Sequence, residues 1–265
     1  MKSSNPVLGR LDEDAARRQG SPTGYGQYGQ PPVVSPNEAG RAMTLDDVVI
    51  RTIFLVALVM VTAAFSWVLL KGGGWTDIAM IGGSIAGLVL VFVISFKRIT
   101  NPAVISLYAI LQGILLGVVS REFEHAYPGI VVQAVGGTLA VFLGMAILYK
   151  FRVIRATPRF ARWVVGALFG VVGLSLVNWM LSLFGHNLGI EYYGPNQKAG
   201  TLAIVFSLVC IGVGALTFIL DFDMVEKGVQ YGMPERFAWY CAFGLVVGLI
   251  YLYWQILRLL GYLRN

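Results

Sequence analysis

The hydrophobic positions of the chain fall into seven long runs, which short polar segments separate. Each run has the roughly 17 to 25 residues that an apolar helix needs to cross a bilayer. The runs are continuous, whereas membrane β-barrels alternate apolar and polar positions within strands of roughly ten residues. The pattern therefore predicts an all-α membrane protein. Its seven predicted transmembrane helices are residues 49–70, 77–96, 103–120, 129–149, 163–184, 200–220 and 237–260.

Composition supports the same class of protein. Of the 265 residues, 57% are hydrophobic and 13% are charged, whereas a soluble domain carries about a quarter charged residues. The mean hydropathy of +0.71 is typical of a chain that crosses a membrane several times.

The first 43 residues differ from the rest of the chain. The stretch GSPTGYGQYGQPPVVSPNEAG is rich in Gly, Pro and Gln, and such a composition cannot bury a core. The segment also lacks the short apolar region and the cleavage site of a signal peptide. We expect residues 1–43 to be a disordered cytoplasmic tail and residues 44–265 to form the transmembrane domain.

Two polar motifs predict where helices begin. In TLDD, Thr44 and Asp47 have the spacing of a capping box, in which the side chain of each residue accepts a hydrogen bond from the backbone N–H of the other. In TPRFARW, Thr157 is placed to cap a helix whose first residue is Pro158, a position that tolerates the missing N–H of proline.

The basic residues predict the orientation of the chain. With a cytoplasmic N-terminus, fifteen of the 20 Lys and Arg residues lie in cytoplasmic segments, and such an excess marks the cytoplasmic side. The net charge of +6 thus reflects topology and contact with anionic lipid head groups, not nucleic-acid binding. Arg258 and Arg264 are exceptions, because seven crossings place them outside. Either Arg258 extends to the outer interface, or the last segment is broken and returns inside.

Small residues predict how the helices pack. Glycine pairs with four-residue spacing let membrane helices approach closely, so we expect one compact bundle. The pairs are Gly83 with Gly87, Gly113 with Gly117, Gly166 with Gly170, and Gly244 with Gly248. Cys210 and Cys241 have neither metal-site nor disulfide spacing, and we expect two buried thiols.

The residue types exclude several membrane enzymes. The two histidines, His125 and His186, fall in predicted outside loops, which removes a Ser-His pair or a multi-histidine metal site from the membrane. No lysine lies inside a predicted helix, where a Schiff base would need it. We therefore expect neither an enzyme nor a cofactor nor a resident metal.

The stretch LTFILDFDMVEKG places acidic residues at the end of the sixth run. On a helix, Asp223 shares a face with Glu226 and Lys227, while Asp221 points about 200° away from Asp223. Ionisable groups within a membrane are commonly functional, although interfacial acids paired to loop cations need no further role. Glu191, in a predicted outside loop, is expected to matter less for ion movement than Asp223.

Polar residues inside the predicted helices give further candidates. Gln112 and Asn178 are possible pathway residues, with hydrogen bonds between helices as the alternative explanation.

Parts of the chain resemble a known family. The stretches FILDFDMVEKG and FAWYCAFGLVVGLIYLYWQILRLL, with NPAVISLYAILQGILLG in the third helix, resemble the Bax inhibitor family and its bacterial YccA-like branch. The resemblance covers about residues 44–263 and leaves the tail out. It implies six helices around a central C-terminal helix. It also implies a proton-sensitive calcium leak, in which aspartates on the sixth and seventh helices share a proton and a basic residue on the second helix pairs with one of them.

The resemblance assigns roles to individual residues. The first aspartate corresponds to Asp221 or Asp223, and the run from Phe-Asp into Glu-Lys favours Asp223. The second aspartate has no counterpart, because residues 241–248 read CAFGLVVG. Glu226 is a substitute if the following loop folds back. The candidate basic partners are Arg98, Lys97 and Arg51.

Two functions remain open. The resemblance favours a passive leak for calcium or another cation, influenced by pH, in the bacterial inner (plasma) membrane. The alternative is a non-conducting membrane protein that regulates another membrane complex, such as a membrane protease. The tail, the glycine pairs and the missing second aspartate suit this alternative. Expected partners are membrane lipids, with a cation or a membrane protein, and not nucleic acid.

Overall fold

The computed structural model describes residues 41–69, 74–183, 188–191 and 200–264, with the backbone alone for 74–79 and 183. Seven helices lie in these ranges, and all are long and apolar enough to cross a membrane. They are α1 (Leu45–Leu69), α2 (Gly74–Lys97), α3 (Pro102–Ala126), α4 (Ile130–Lys150), α5 (Pro158–Leu183), α6 (Thr201–Gln230) and α7 (Phe237–Arg264). The described residues contain no strand beyond one isolated bridge. The predicted all-α class with seven spanning helices is confirmed.

The helix starts follow the capping motifs. The Thr44 backbone N–H donates to Asp47 Oδ2 at 2.9 Å, and the Asp47 N–H donates to Thr44 Oγ1 at 3.3 Å. The Phe160 N–H donates to Thr157 Oγ1 at 3.2 Å, and α5 begins at Pro158. Both predicted caps are therefore present.

Helix α7 is the centre of the bundle. It packs directly against α1, α3, α4 and α6, whereas α2 packs chiefly on α3 and α5 packs chiefly on α6. Fourteen of its residues are buried, more than in any other helix described. The expected central C-terminal helix is thus observed, with α2 and α5 attached through their neighbours.

Three of the four predicted glycine pairs lie where helices meet. A Cβ atom at Gly113 or Gly117 would overlap α1, and one at Gly87 would overlap Gln112 of α3. The pair on α7 faces α6. At Gly166 and Gly170 of α5, by contrast, a Cβ would meet nothing within 4 Å.

Residues 41–43, assigned to the tail by the sequence analysis, are attached to the connection between α6 and α7. The Met43 N–H donates to Met233 O at 2.8 Å, and the Glu235 N–H donates to Arg41 O at 2.9 Å. The Met43 side chain is 2% exposed and lies over Gly228. The amino-acid composition of residues 1–43 cannot predict this contact, because a single buried side chain, that of Met43, provides it. The remainder of the predicted tail, residues 1–40, lies outside the described residues.

We expect Met43→Ala to lower the free energy of unfolding by about 2 to 5 kcal/mol, the usual range for a buried methionine. Met60→Ala, at a methionine that is 59% exposed, should leave it nearly unchanged. The thermal midpoint of purified protein in detergent measures both. Removal of residues 1–40 should also leave the midpoint unchanged. Equal midpoints for Met43→Ala and wild type would contradict the docking of this segment.

Candidate functional site

Helix α6 continues through the acidic cluster. The hydropathy pattern ends it at residue 220, but the helix extends to Gln230. Lys227 Nζ pairs with Asp223 Oδ2 at 2.6 Å, and Gln230 Nε2 donates to Glu226 Oε1 at 3.2 Å. Pairs four residues apart stabilise a helix beyond its apolar part. The two aspartates and Glu226 are therefore helical residues, and Glu226 is not in a loop that could fold back.

Asp221 faces α7. A Cβ atom built on Gly244 would lie 3.6 Å from Asp221 Oδ1, and Cys241, one turn earlier on α7, is also a neighbour of this carboxyl. Asp221 is half-buried. Among the described residues, no hydrogen bond or ion pair reaches its carboxyl group. The stretch 241–248, where the resemblance expects a second aspartate, therefore includes the residue of α7 that lies next to Asp221, and this residue is Gly244.

Asp223 lies on the other side of α6, as its angular separation from Asp221 predicts. It lines a polar pocket of about 400 Å³ together with Tyr149, Glu226, Lys227 and the connection between α4 and α5. Tyr149 donates a hydrogen bond to Glu226 Oε2, and Lys227 pairs with Asp223. The Asp223–Lys227 pair matches the alternative of an interfacial acid paired with a nearby cation, whereas Glu226 accepts hydrogen bonds from the neutral groups of Tyr149 and Gln230.

The predicted basic partners lie elsewhere. Arg51 Nη2 pairs with Glu235 Oε1 at 2.5 Å, and its guanidinium lies 5.3 Å from the centre of the Trp239 ring. Lys97 and Arg98 are exposed at the end of α2 and form no ion pair with the part of the chain described. The structure brings none of these three groups to either aspartate.

Gln112 and Asn178 lie in different interfaces. Gln112 is buried on α3 against Gly87 of α2. Asn178 is buried on α5, where it accepts a hydrogen bond from the Leu188 N–H at 3.0 Å and donates to Glu191 O at 3.1 Å. The two side chains lie in separate contacts between parts of the bundle.

A buried ion pair was missed by sequence reasoning. Glu191, predicted to lie in an outside loop, is 2% exposed and pairs with Arg258 Nη1 at 2.7 Å. Ser175 Oγ donates to the same carboxylate oxygen at 3.0 Å. Arg258 therefore does not extend to the interface, and α7 is not broken, since the helix is continuous to Arg264. Two polar residues on one face of an apolar helix, Gln255 and Arg258, indicate a buried partner, although spacing alone cannot identify Glu191.

Between Asp221 and this ion pair, α6 and α7 touch through two glycines. A Cβ atom on Gly214 would lie 2.7 Å from Tyr251 Cε1, and one on Gly248 would lie 2.8 Å from Phe218 Cε1. Each helix thus accepts an aromatic ring of the other helix over a glycine. The two rings separate Asp221 from the Glu191–Arg258 pair.

These observations define a multi-pass membrane protein in which a central C-terminal helix lies against an interior carboxyl group. The chain matches the Bax inhibitor 1 like family over residues 5–265 and belongs to that family. The match extends into the tail, beyond the residues 44–263 to which the sequence resemblance was limited. Comparison with curated proteins gave no match.

We expect Gly244→Ala and Gly248→Ala to differ. An added Cβ at Gly244 meets Asp221 and Met224 at 3.6 and 3.7 Å, ordinary contact distances, so the thermal midpoint should be unchanged or higher. At Gly248 the methyl group collides with the ring of Phe218, which is fully buried. Overpacking there should lower the free energy of unfolding by about 1 to 3 kcal/mol. Similar midpoints for the two variants would contradict the contact described.

Proposed function

We propose that the protein is a passive pathway for cations, calcium among them, and that Asp221 is its interior cation-attracting group. The observation that carries this proposal is the position of the Asp221 carboxyl within the α6–α7 interface, without an ion-pair partner among the described residues. An unpaired carboxylate inside a membrane bundle lowers stability, and such groups usually mark functional sites. Membership of the Bax inhibitor 1 like family supports the same function.

A single carboxylate is better suited to a leak pathway than to a tight calcium-binding site. Conduction requires an ion to be attracted into the bundle and also to leave it, so binding must be weak. Tight calcium sites use six to eight oxygen ligands, several of them carboxylates. Asp221 offers one carboxylate, and α7 contributes no Asp or Glu. Asp221 therefore fits passage of a cation better than its retention.

The proposed pathway is closed in this conformation. The rings of Phe218 and Tyr251 fill the α6–α7 contact beyond Asp221. Flux through this interface therefore requires these two rings to move.

The pH influence implied by the family resemblance depends here on Asp221 alone. A shared proton needs two facing carboxyl groups, and Gly244 occupies the opposite position on α7. Cys241 is the titratable group of α7 that neighbours Asp221. Because a protonated Asp221 is neutral and no longer attracts a cation, we expect flux to fall as the pH is lowered through its titration.

The proposal is tested by calcium entry into liposomes that contain the purified protein, at several pH values around neutrality. We expect Asp221→Asn to reduce flux by about tenfold, because it removes the interior charge, and to abolish the pH response. Asp223→Asn is the matched control and should conduct like wild type, since Asp223 is on the other face in an ion pair with Lys227. Equal flux in Asp221→Asn and wild type would reject the role of Asp221. Wild-type flux no greater than in empty liposomes would reject the pathway itself.

A second candidate function is binding to another membrane protein, such as a membrane protease. The observation that favours it is the open pair Gly166 and Gly170 on the peripheral helix α5, which would let a partner helix approach closely. If this function holds, Gly170→Leu abolishes co-purification of the partner, whereas Gly136→Leu, at an exposed glycine of α4, does not.

We further infer the setting of the protein from its sequence. The excess of Lys and Arg in the segments before α1, between α2 and α3, between α4 and α5, and between α6 and α7 supports a cytoplasmic N-terminus. We propose a bacterial inner membrane and a non-enzymatic role, with bilayer lipids covering the exposed apolar faces.

A further inference from the structure

A short segment between α5 and α6 enters the bundle. Residues 188–191 are held from α5, where Asn178 bonds to the Leu188 N–H and to Glu191 O. The Glu191 side chain then reaches Arg258 of α7 at 2.7 Å. Arg258 is six residues before the end of α7, which is about 9 Å along a helix. The segment thus joins α5 to the central helix well inside the ends of the helices.

Polar groups without partners lie behind this segment. Arg258 Nε and Ser207 Oγ are buried and have no hydrogen-bond partner in the part of the chain described, and the Tyr251 hydroxyl is buried beside the Cys210 thiol and Gln255. Cys210, one turn after Ser207 on α6, is fully buried and interacts with both members of the ion pair. Buried polar groups of this kind are normally satisfied by water. The interior next to Cys210 is therefore suited to hydration, while the ion pair lies between it and the end of the bundle.

We propose that residues 188–191 are a removable plug, and that the Glu191–Arg258 ion pair holds it in the bundle. With the plug in place, the polar groups of α6 and α7 are closed off from the aqueous phase at this end. When the ion pair breaks, Glu191 gains water by leaving the bundle and water enters to reach Arg258 on α7, because an unpaired buried charge is strongly disfavoured. The plug then opens and water reaches Cys210. This goes beyond the proposed cation pathway and does not depend on it, because it concerns access of water and not conduction.

The two cysteines of the chain supply a matched test. Cys210 lies beside the ion pair, and Cys241 lies beside Asp221, beyond the rings of Phe218 and Tyr251. In a Cys241→Ser background, a small charged methanethiosulfonate reagent is applied to the protein in lipid nanodiscs, and the rate of Cys210 modification is measured. We expect Glu191→Gln to increase this rate by at least about tenfold. Glu122→Gln, at an exposed glutamate in the last two turns of α3, should leave it unchanged.

A parallel experiment separates plug opening from unfolding. In a Cys210→Ser background, Glu191→Gln should leave the modification rate of Cys241 unchanged. Faster modification of both cysteines would overturn the proposal, because it would show general loosening of the bundle. An unchanged Cys210 rate in Glu191→Gln would also overturn it.

Two further variants keep the test decisive if Glu191→Gln does not fold. Asn178→Ala removes the hydrogen bonds that attach the segment to α5. The ion pair is then the main remaining attachment among the described contacts, so the plug should open more often, and Cys210 modification should be faster than in wild type but slower than in Glu191→Gln. The charge exchange Glu191→Arg with Arg258→Glu should return the rate towards that of wild type. A wild-type rate of Cys210 modification in Asn178→Ala would overturn the proposal. So would a failure of the exchanged pair to bring the rate back towards that of wild type.

Discussion

The close contact between α6 and α7 determines the positions of Asp221 and of the Glu191–Arg258 ion pair. Gly214 and Gly248 each receive an aromatic ring from the opposite helix, and side chains larger than hydrogen at these positions would force the helices apart. Because the two contacts are staggered along the interface, they also fix the register of one helix against the other. That register puts Asp221 opposite Gly244 and keeps the Glu191–Arg258 pair on the far side of both rings.

The two charged regions of the α6–α7 interface differ in whether their charges are compensated. Glu191 and Arg258 are deeply buried but satisfy one another, and Ser175 adds a hydrogen bond to the carboxylate. Removing either charge would leave the other uncompensated in a low-dielectric interior. Asp221 has no such compensation among the described residues, and it is only partly buried. The first arrangement favours a fixed structure, whereas the second leaves a group whose charge state and surroundings can change.

Much of the fold follows from the sequence, because bilayer thickness and backbone hydrogen bonding leave few alternatives for long apolar runs. The caps at Thr44 and Thr157 were predictable for a similar reason, since both are formed by residues close in sequence. The separation of Asp221 from Asp223 followed from helical geometry alone. Helical geometry alone did not reveal that Asp221, and not the favoured Asp223, faces α7. Which of the two faces α7 depends on the side of α6 that the neighbouring helix covers.

The remaining features depend on contacts between residues far apart in sequence. Hydropathy ends α6 where its apolar residues end, yet the Asp223–Lys227 ion pair and the packing of Val225 and Gly228 extend the helix. Glu191 looked like a loop residue because nothing in its own neighbourhood specifies Arg258 as a partner. The same holds for Met43, whose burial depends on Gly228.

The bridge between Ala42 and Pro234 has a consequence for the order of folding. It joins the first described residues of the chain to the connection that precedes the last helix, and six helices lie between its two sides. Closing a loop of this length costs conformational entropy, and early local contacts cannot offset that cost. The bridge can form only after α6 has been made and inserted. Burial of Met43 therefore marks a late stage of assembly, when the first and last parts of the bundle are joined.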